Sequence, residues 1–250
     1  MKTTTGAVWP CLNRDAIKGI AMATMFLNHF ANVLLPAQSP WFEPLVDIGY
    51  FTAVTMCYFL VEGYQYTHDR RAYALRLLVF ALIAQIPYQL ALGFFQLNML
   101  FTLLVCFGIV YVWVSWGADK GPRKVLAVLG LVFASLFMDW AILAPVFTLM
   151  FASWRYGDAP ACGTRSGLAK LFVGDALIFF FLNLQEEWTV QAMLQAAASS
   201  LGILVAGAVI LLFYNGKRAA HGCTFWKWFF YLFYPAHLAV LAAVKLLVLQ

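Results

Sequence analysis

The amino-acid sequence predicts an all-α membrane protein: a polytopic bundle of about nine transmembrane helices, within a range of eight to ten. Apolar residues make up 64% of the 250 residues, charged residues make up 11%, and the mean hydropathy is +0.81. A soluble domain contains about 25% charged residues, so the composition excludes an ordinary soluble protein. Several windows of about 18 residues also lack any charge, and this is the length that a membrane-spanning helix requires.

The predicted spans follow one another along the chain with short connections. We place them at residues 16–35, 48–66, 72–92, 97–116, 124–138, 140–154, 168–184, 190–214 and 226–248. The fifth and sixth spans are short. The alternative is a helical hairpin that does not cross the membrane fully, which leaves about eight spans. No long polar linker interrupts the series, so residues 1–250 are expected to form a single integral-membrane domain.

Charged residues are distributed unevenly between the two sides of this topology. With the N-terminus inside, every lysine and arginine except Lys245 falls on the inner side. The outer turns instead hold the acidic residues Glu43, Asp47, Asp139, Glu186 and Glu187. By the positive-inside rule the N-terminus is cytoplasmic, in a bacterial inner membrane. This topology explains the pI near 9.0, and no nucleic-acid partner is expected.

The first helix carries a basic residue and a histidine on one face. Lys18 and His29 are eleven positions apart, which amounts to about three turns plus 20° and about 16 Å along the axis. Ionisable groups are costly inside a membrane, so both are candidates for function. Structural interpretations also stay open: Lys18 as an anchor at the inner surface, and His29 as a hydrogen bonder between helices. The neighbouring Asn28 points about 100° away, toward another helix.

The last helix brings a second histidine to a similar depth. His237 lies eleven residues after Trp226, which corresponds to about 16 Å from the inner surface. Tyr231 and Tyr234 precede it at steps of three residues and form one stripe with it. Two neutral imidazoles at one depth indicate proton transfer or an acyl acceptor, because neutral histidine accepts a proton near pH 7.

Other polar residues within the spans are candidates that also have ordinary structural explanations. Glu62 lies about one turn inside the inner rim, where it either pairs with Lys18 or Arg76 or lines a pocket open to the cytoplasm. Asn98 and Thr102 share one face of the fourth helix and fit hydrogen bonding between helices. The five cysteines contain no CxxC pair, so no metal site is expected.

Four stretches, in their order and spacing, resemble the TraX family of integral-membrane acetyltransferases. They read IKGIAMATMFLNHF, IGYFTAVTMCYFLVEGYQYTHDRRAYALRLLVFALIAQIPY, LNMLFTL and WFFYLFYPAHLAVL. The basic residue, ten-residue gap and histidine of the first stretch also resemble a signature of the wider group of membrane acyltransferases that use acyl-CoA. The chain departs from the family pattern at Asn28, where aspartate is usual, and at Tyr50, where arginine is usual.

The resemblance implies a membrane acetyltransferase that uses cytoplasmic acetyl-CoA as co-substrate. Catalysis is assigned to His29 as general base or acyl carrier, together with His237 and Tyr234. The residues expected on the acetyl-CoA side are Lys18, Arg70, Arg71, Arg76 and Glu62. The residues expected on the acceptor side are Asn28, Asn98, Thr102, Tyr231 and Asp139.

The acceptor and two other function classes stay open. The pilin-modifying member of the family acetylates the N-terminal amine of its pilin, but here a peptide amine, a sugar hydroxyl and a small amine are all possible acceptors. A proton-coupled transporter could use the buried histidines with Glu62 and Asp175, although it predicts inverted repeats and broken helices that the sequence does not show clearly. A non-catalytic membrane assembly factor is the other class. Dependence on acetyl-CoA separates the enzyme from both.

Overall fold

The computed structural model describes residues 11–93, 95–117, 121–184 and 188–248. Within them, nine α-helices follow in the order α1 (Arg14–Leu34), α2 (Phe42–Tyr64), α3 (Arg70–Leu92), α4 (Met99–Ser115), α5 (Gly121–Ala134), α6 (Leu143–Tyr156), α7 (Arg165–Asn183), α8 (Val190–Phe213) and α9 (Cys223–Val248). A short 3-10 turn, Ser135–Phe137, extends α5. The all-α prediction is confirmed. Four residues of the charge count lie outside the described residues: Lys2, Lys120, Glu186 and Glu187.

The helices differ in their capacity to cross a membrane. Five of the described helices, α2, α3, α7, α8 and α9, are long and apolar enough to do so. Helix α1 has 21 residues but carries several polar side chains. Helices α5 and α6 have 14 residues each, or about 21 Å, which is shorter than the roughly 30 Å of a bilayer core. Their length therefore favours the hairpin alternative over two full spans at 124–154.

Polar side chains define where several helices begin. The side chain of Asn13 accepts a hydrogen bond from the backbone N–H of Ala16 at 2.9 Å, which caps α1. Asp69 caps α3 in the same way through the N–H of Ala72 at 2.8 Å. Gly93 ends α3 with φ of 81°, a conformation that glycine adopts without the steric cost of a side chain. These residues fix the start of α1 and both ends of α3, two of the helices that line the cavities described below.

Helix α2 is the central element of the bundle. It packs against α1, α4, α6 and α8, and 61% of its most apolar window is buried. Helix α1 packs against both α2 and α9, and α3 packs against α9 and α4. The approach of α1 to α2 is very close at Gly49, where an added Cβ atom would lie 2.3 Å from the Cβ of Asn28. The first and last helices of the chain are therefore neighbours.

Candidate functional site

Two adjoining cavities lie among α1, α2, α3, α4 and α9. The first, which we call the basic cavity, has a volume of about 380 Å³ and lies where α1, α3 and α9 begin. The second, the histidine cavity, has a volume of about 280 Å³ and lies where α1 and α3 end. Both cavities are lined by Met25, Thr52, Met99 and Tyr234. These four residues form the junction between the cavities.

The basic cavity is suited to an anionic ligand. Five lysines and arginines line it: Arg14, Lys18, Arg76, Arg218 and Lys227. Arg14 pairs with Glu62 at 2.8 Å, whereas the other four have no carboxylate within 4.0 Å in the described part of the chain. The ammonium of Lys18 instead lies 5.4 Å from the ring centre of Phe230. Guanidinium and ammonium groups in this arrangement favour phosphate.

The carboxylates near the basic cavity bind backbone amides. Asp15 lines the cavity and accepts a hydrogen bond from the N–H of Ala219 at 2.8 Å. Asp69 also lines it and accepts the capping bond of α3 described above. Both carboxylates therefore hold chain segments beside the cavity, and Lys18, Arg76, Arg218 and Lys227 have no carboxylate within 4.0 Å among the described residues.

The two histidines of the first and last helices meet. The Nδ1 atom of His29 lies 2.8 Å from the Nε2 atom of His237, and both side chains are buried. The Nδ1 atom of His237 lies 2.8 Å from the carbonyl oxygen of Phe233, one turn earlier on α9. His29 lines the histidine cavity, and His237 lies behind it, outside the residues that line either cavity.

This chain of hydrogen bonds assigns the position of each proton. A carbonyl oxygen only accepts, so Nδ1 of His237 donates to Phe233. Nε2 of neutral His237 is then an acceptor, and Nδ1 of His29 must donate to it. Neutral His29 consequently carries its lone pair on Nε2. The network holds His29 in the tautomer of a general base.

Tyr234 supplies a hydroxyl at the junction. Its oxygen accepts a hydrogen bond from the backbone N–H of Met99 at 3.3 Å, which leaves the phenolic proton available for another acceptor. Its ring lies edge-on to His29, with 6.2 Å between ring centres. Tyr234 is therefore placed to donate a hydrogen bond to a group that lies between the cavities.

An unusual turn brings an acidic residue into the histidine cavity. Asp139 lies between α5 and α6, and its backbone N–H donates a hydrogen bond to the carbonyl oxygen of Leu97 at 2.7 Å. Trp140 and Ile142 have φ of 57° and 62°, which is uncommon for residues other than glycine and marks stored backbone strain. Burial raises the pKa of Asp139 to about 6. The indole of Trp140 lies beside it in the same cavity, 5.8 Å from the ring centre of Tyr50.

Only some of the residues predicted on the acetyl-CoA side line the basic cavity. Lys18 and Arg76 line the basic cavity. Arg70 and Arg71 do not: both are exposed, and the guanidinium of Arg70 lies 4.5 Å from the ring centre of Tyr64. The reason is their position at the very start of α3, whereas Arg76 lies more than a turn further along the helix.

The predicted partner of Glu62 was wrong. Its carboxylate pairs with Arg14 at 2.8 Å rather than with Lys18 or Arg76. It also accepts hydrogen bonds from the hydroxyl of Tyr214 at 2.9 Å. Glu62 therefore lies on the opposite side of α2 from the basic cavity and does not line it.

Only some of the residues predicted on the acceptor side line the histidine cavity. Asn28 and Asp139 line the histidine cavity. Asn98 and Thr102 are fully buried and line neither cavity, because their side chains bind backbone: Asn98 caps α4, and Thr102 donates to the carbonyl of Asp139 at 2.5 Å. Tyr231 lines the basic cavity instead of the histidine cavity.

Several residues at the site were missed by the sequence reasoning. Arg218 and Lys227 line the basic cavity, and Tyr50 and Trp140 line the histidine cavity. A signal existed for Lys227, since it precedes Tyr231 by four positions and thus lies on the same face of α9. The strained turn that presents Trp140 has no such signal. Within the described ranges, no group of three or more histidine, cysteine, aspartate or glutamate side chains could hold a metal ion.

Comparison with known proteins places the chain in a family. The family profile described as "TraX protein" matches residues 13–245. The chain is 31% identical to the "Probable fimbrial assembly protein FimC, serogroup H1" of Dichelobacter nodosus, over 92% of this chain and 94% of that protein. It is 27% identical to "Protein TraX" of Escherichia coli, over 96% of this chain and 90% of that protein. No solved structure matches it significantly. A match over nearly the whole length, from α1 to α9, shows that the chain belongs to the TraX family.

Proposed function

We propose that this TraX-family membrane protein is an acetyltransferase that takes the acetyl group from acetyl-CoA in the basic cavity and transfers it to an amine in the histidine cavity. The observation that carries the proposal is the lone pair on Nε2 of His29, in a cavity that adjoins a second, cationic cavity. Transfer of an acetyl group from a phosphate-bearing donor requires a site for the phosphates and a base close to it, and the two adjoining cavities supply both.

The dimensions and charges of the two cavities fit acetyl-CoA. Its phosphates would bind Lys18, Arg76, Arg218 and Lys227 at the basic end. Eleven residues of α1 separate Lys18 from His29, or about 16 Å, a distance that an extended pantetheine arm can bridge. The flexible side chain of Met25 lies at the junction through which the arm must pass. The thioester then reaches the side of His29.

Tyr234 at the junction and His29 beside it can together carry out acyl transfer. Nε2 of His29 removes a proton from the attacking nitrogen, which forms a bond to the carbonyl carbon of the thioester as the carbon–sulfur bond breaks. His29 then returns that proton to the departing sulfur. The hydroxyl of Tyr234 donates a hydrogen bond to the carbonyl oxygen as its negative charge develops. His237 is a positioning residue, since it touches His29 and not the reacting atoms.

The histidine cavity favours an amine over a hydroxyl acceptor. Asp139 supplies a carboxylate that attracts an ammonium group, and Tyr50 and Trp140 supply aromatic rings suited to contact with a cation. The ammonium first loses one proton to water, and the neutral amine then attacks. The first acceptors to test are N-terminal amines of fimbrial or pilin subunits, because a relative is named as a probable fimbrial assembly protein.

The first experiment measures acetyl-CoA binding by the purified protein in nanodiscs, as a shift in Tm relative to the protein without ligand, with free CoA as a second ligand. Wild type, Lys18→Ala and the matched control Arg71→Ala are compared, since Arg71 is also basic but lies outside the cavity. We expect stabilisation of the wild type and the control and a weaker shift for Lys18→Ala. Mass spectrometry then follows acetylation of a peptide amine, which His29→Gln should reduce by about 100-fold or more while acetyl-CoA binding is retained.

The outcomes separate the remaining function classes. No stabilisation at millimolar acetyl-CoA would overturn the acetyltransferase. A non-catalytic assembly factor is the second candidate, favoured by the name of the fimbrial relative. It requires that cells carrying His29→Gln still assemble fimbriae normally. A proton-coupled carrier requires substrate uptake that does not depend on acetyl-CoA.

A further inference from the structure

A second groove lies on the other side of α2 from the basic cavity. It consists of two adjoining cavities with volumes of about 230 and 310 Å³, which share Tyr58, Trp154 and Tyr214. We call these two cavities together the arginine groove, because Arg155 lines the first and Arg165 lines the second. The groove runs from the end of α6 to the last turn of α8, at the same end of the bundle as the basic cavity.

The charge of the groove is positive. Arg155 donates to the side-chain oxygen of Gln65 at 2.8 Å, and Arg165 donates to the backbone carbonyl of Leu211. Both partners are neutral, and neither arginine has a carboxylate within 4.0 Å in the described part of the chain. Glu62 does line the groove, but Arg14 neutralises it at 2.8 Å. Each guanidinium retains further N–H donors for a ligand.

One wall of the groove is apolar and reaches the exposed surface of the bundle. Leu168 and Ile210 are buried at its base, and Leu212 is 53% exposed at its edge. This wall is built by α7 and α8, both of which are long and apolar enough to cross a membrane. The indole N–H of Trp154 is already bound to the carbonyl of Thr164 at 3.1 Å, so its ring presents a flat apolar surface. A tryptophan of this kind is typical of the boundary between lipid and water.

We propose that the arginine groove binds an anionic phospholipid, with its phosphate at Arg155 and Arg165 and one acyl chain along Leu168 and Leu212. The two arginines provide charge complementarity for the headgroup, and basic pockets between transmembrane helices are known binding places for such headgroups. A free phosphate ion would leave the apolar wall unused. The triad of Arg14, Glu62 and Tyr214 separates this lipid from the basic cavity, so the proposal does not depend on acetyl transfer.

The test measures lipid retention by native mass spectrometry and Tm in detergent, with phosphatidylglycerol and, separately, phosphatidylcholine. Wild type is compared with the double variant Arg155→Gln/Arg165→Gln and with the control Arg123→Gln, an exposed arginine of α5 that lines none of these cavities. We expect phosphatidylglycerol to bind wild type and the control alike. Loss of two arginines should weaken its binding by about 10–30-fold.

Each alternative outcome would overturn the proposal. Equal retention of phosphatidylglycerol by wild type and the double variant would show general adsorption to the apolar surface. A Tm shift of the same size with inorganic phosphate alone, lost in the double variant, would assign the groove to a free anion. If the double variant does not fold, the single variant Arg165→Gln carries the same comparison, because the side chain of Arg165 is exposed.

Discussion

At the scale of single residues, the backbone carbonyl of Phe233 determines what His29 can do. It accepts the proton of His237, which in turn obliges His29 to donate from Nδ1 and keep Nε2 free. Without that carbonyl, either tautomer of His29 would be allowed, and the fraction that carries its proton on Nε2 would present an N–H to the cavity.

The first prediction concerns His237. His237→Phe should lower kcat by about 10–100-fold, because His29 loses the partner that fixes its tautomer, while binding of acetyl-CoA is unchanged. His237→Gln should recover part of the activity, since its amide oxygen can accept from Nδ1 of His29. Steady-state kinetics with a peptide amine provides the measurement. Equal losses in the two variants would assign His237 a packing role only.

The second prediction concerns Asp139, whose pKa burial raises to about 6. Below that pH its carboxyl is protonated and no longer attracts an ammonium group, so KM for the amine should rise as the pH falls through about 6. The other titratable groups of the cavity are His29 and the tyrosines, and protonation of His29 should lower kcat instead. Asp139→Asn should give a high KM that does not change with pH. A KM equal to that of wild type in this variant would contradict the assignment.

At the scale of helices, α2 lies between the arginine groove and the two cavities of the candidate site. Thr52 on one face reaches the junction and donates to the carbonyl of Ala21 at 2.6 Å. Glu62 on another face pairs with Arg14 and Tyr214 beside the arginine groove. The position of α2 against α1 is therefore critical for the site, and the closest approach of the two helices is at Gly49.

The third prediction tests this approach with two glycines of α2. Gly49→Ala should destabilise the protein by about 1–3 kcal/mol, because the added Cβ atom meets Asn28 at 2.3 Å and forces α1 away. Gly63→Ala is the matched control: its Cβ atom meets nothing within 4 Å, and alanine should stabilise the helix by about 0.5–1 kcal/mol. Thermal unfolding in nanodiscs measures both. A stable Gly49→Ala variant would show that α1 and α2 pack more loosely.

At the scale of the whole molecule, the two cavities open toward opposite ends of the bundle. Arg14, the start of α3 and Lys227 surround one, and the ends of α1 and α3 surround the other. If the basic end is cytoplasmic, as the charge distribution predicts, the acceptor approaches from the outer half of the membrane. Donor and acceptor then never share an aqueous compartment.

The fourth prediction tests this sidedness with cysteines introduced into a variant that lacks the exposed natural ones. Gln38→Cys, in the turn after α1, should react with a membrane-impermeant maleimide added to intact spheroplasts. Asp158→Cys, in the turn after α6, should react only after permeabilisation. Both positions are exposed, so the comparison reports the side of the membrane. The reverse pattern would invert the topology and place the basic cavity outside.

Counting residues from the inner boundary of each helix was sufficient to predict which side chains lie at the same depth in the membrane. Eleven residues from an inner boundary placed His29 and His237 at one level, and the structure brings them into contact. The direction in which a side chain points could not be predicted in this way. Glu62 was expected to pair with Lys18 or Arg76, yet Arg14, one turn before Lys18 on α1, pairs with it instead. Asn98 resembled an inward-facing polar residue because a helix cap cannot be distinguished from one by spacing alone.

The junction formed by Met25, Thr52, Met99 and Tyr234 has a consequence for inhibitor design. If the proposed acetyl transfer takes place there, a compound that fills only one cavity competes with one substrate and leaves the other free to bind. A single molecule with an anionic head, a thin linker and a terminal amine could pass the junction and occupy both. Its affinity would then gain from linking two weak ligands, because the second binding event becomes intramolecular. The width of that passage sets how thin the linker must be.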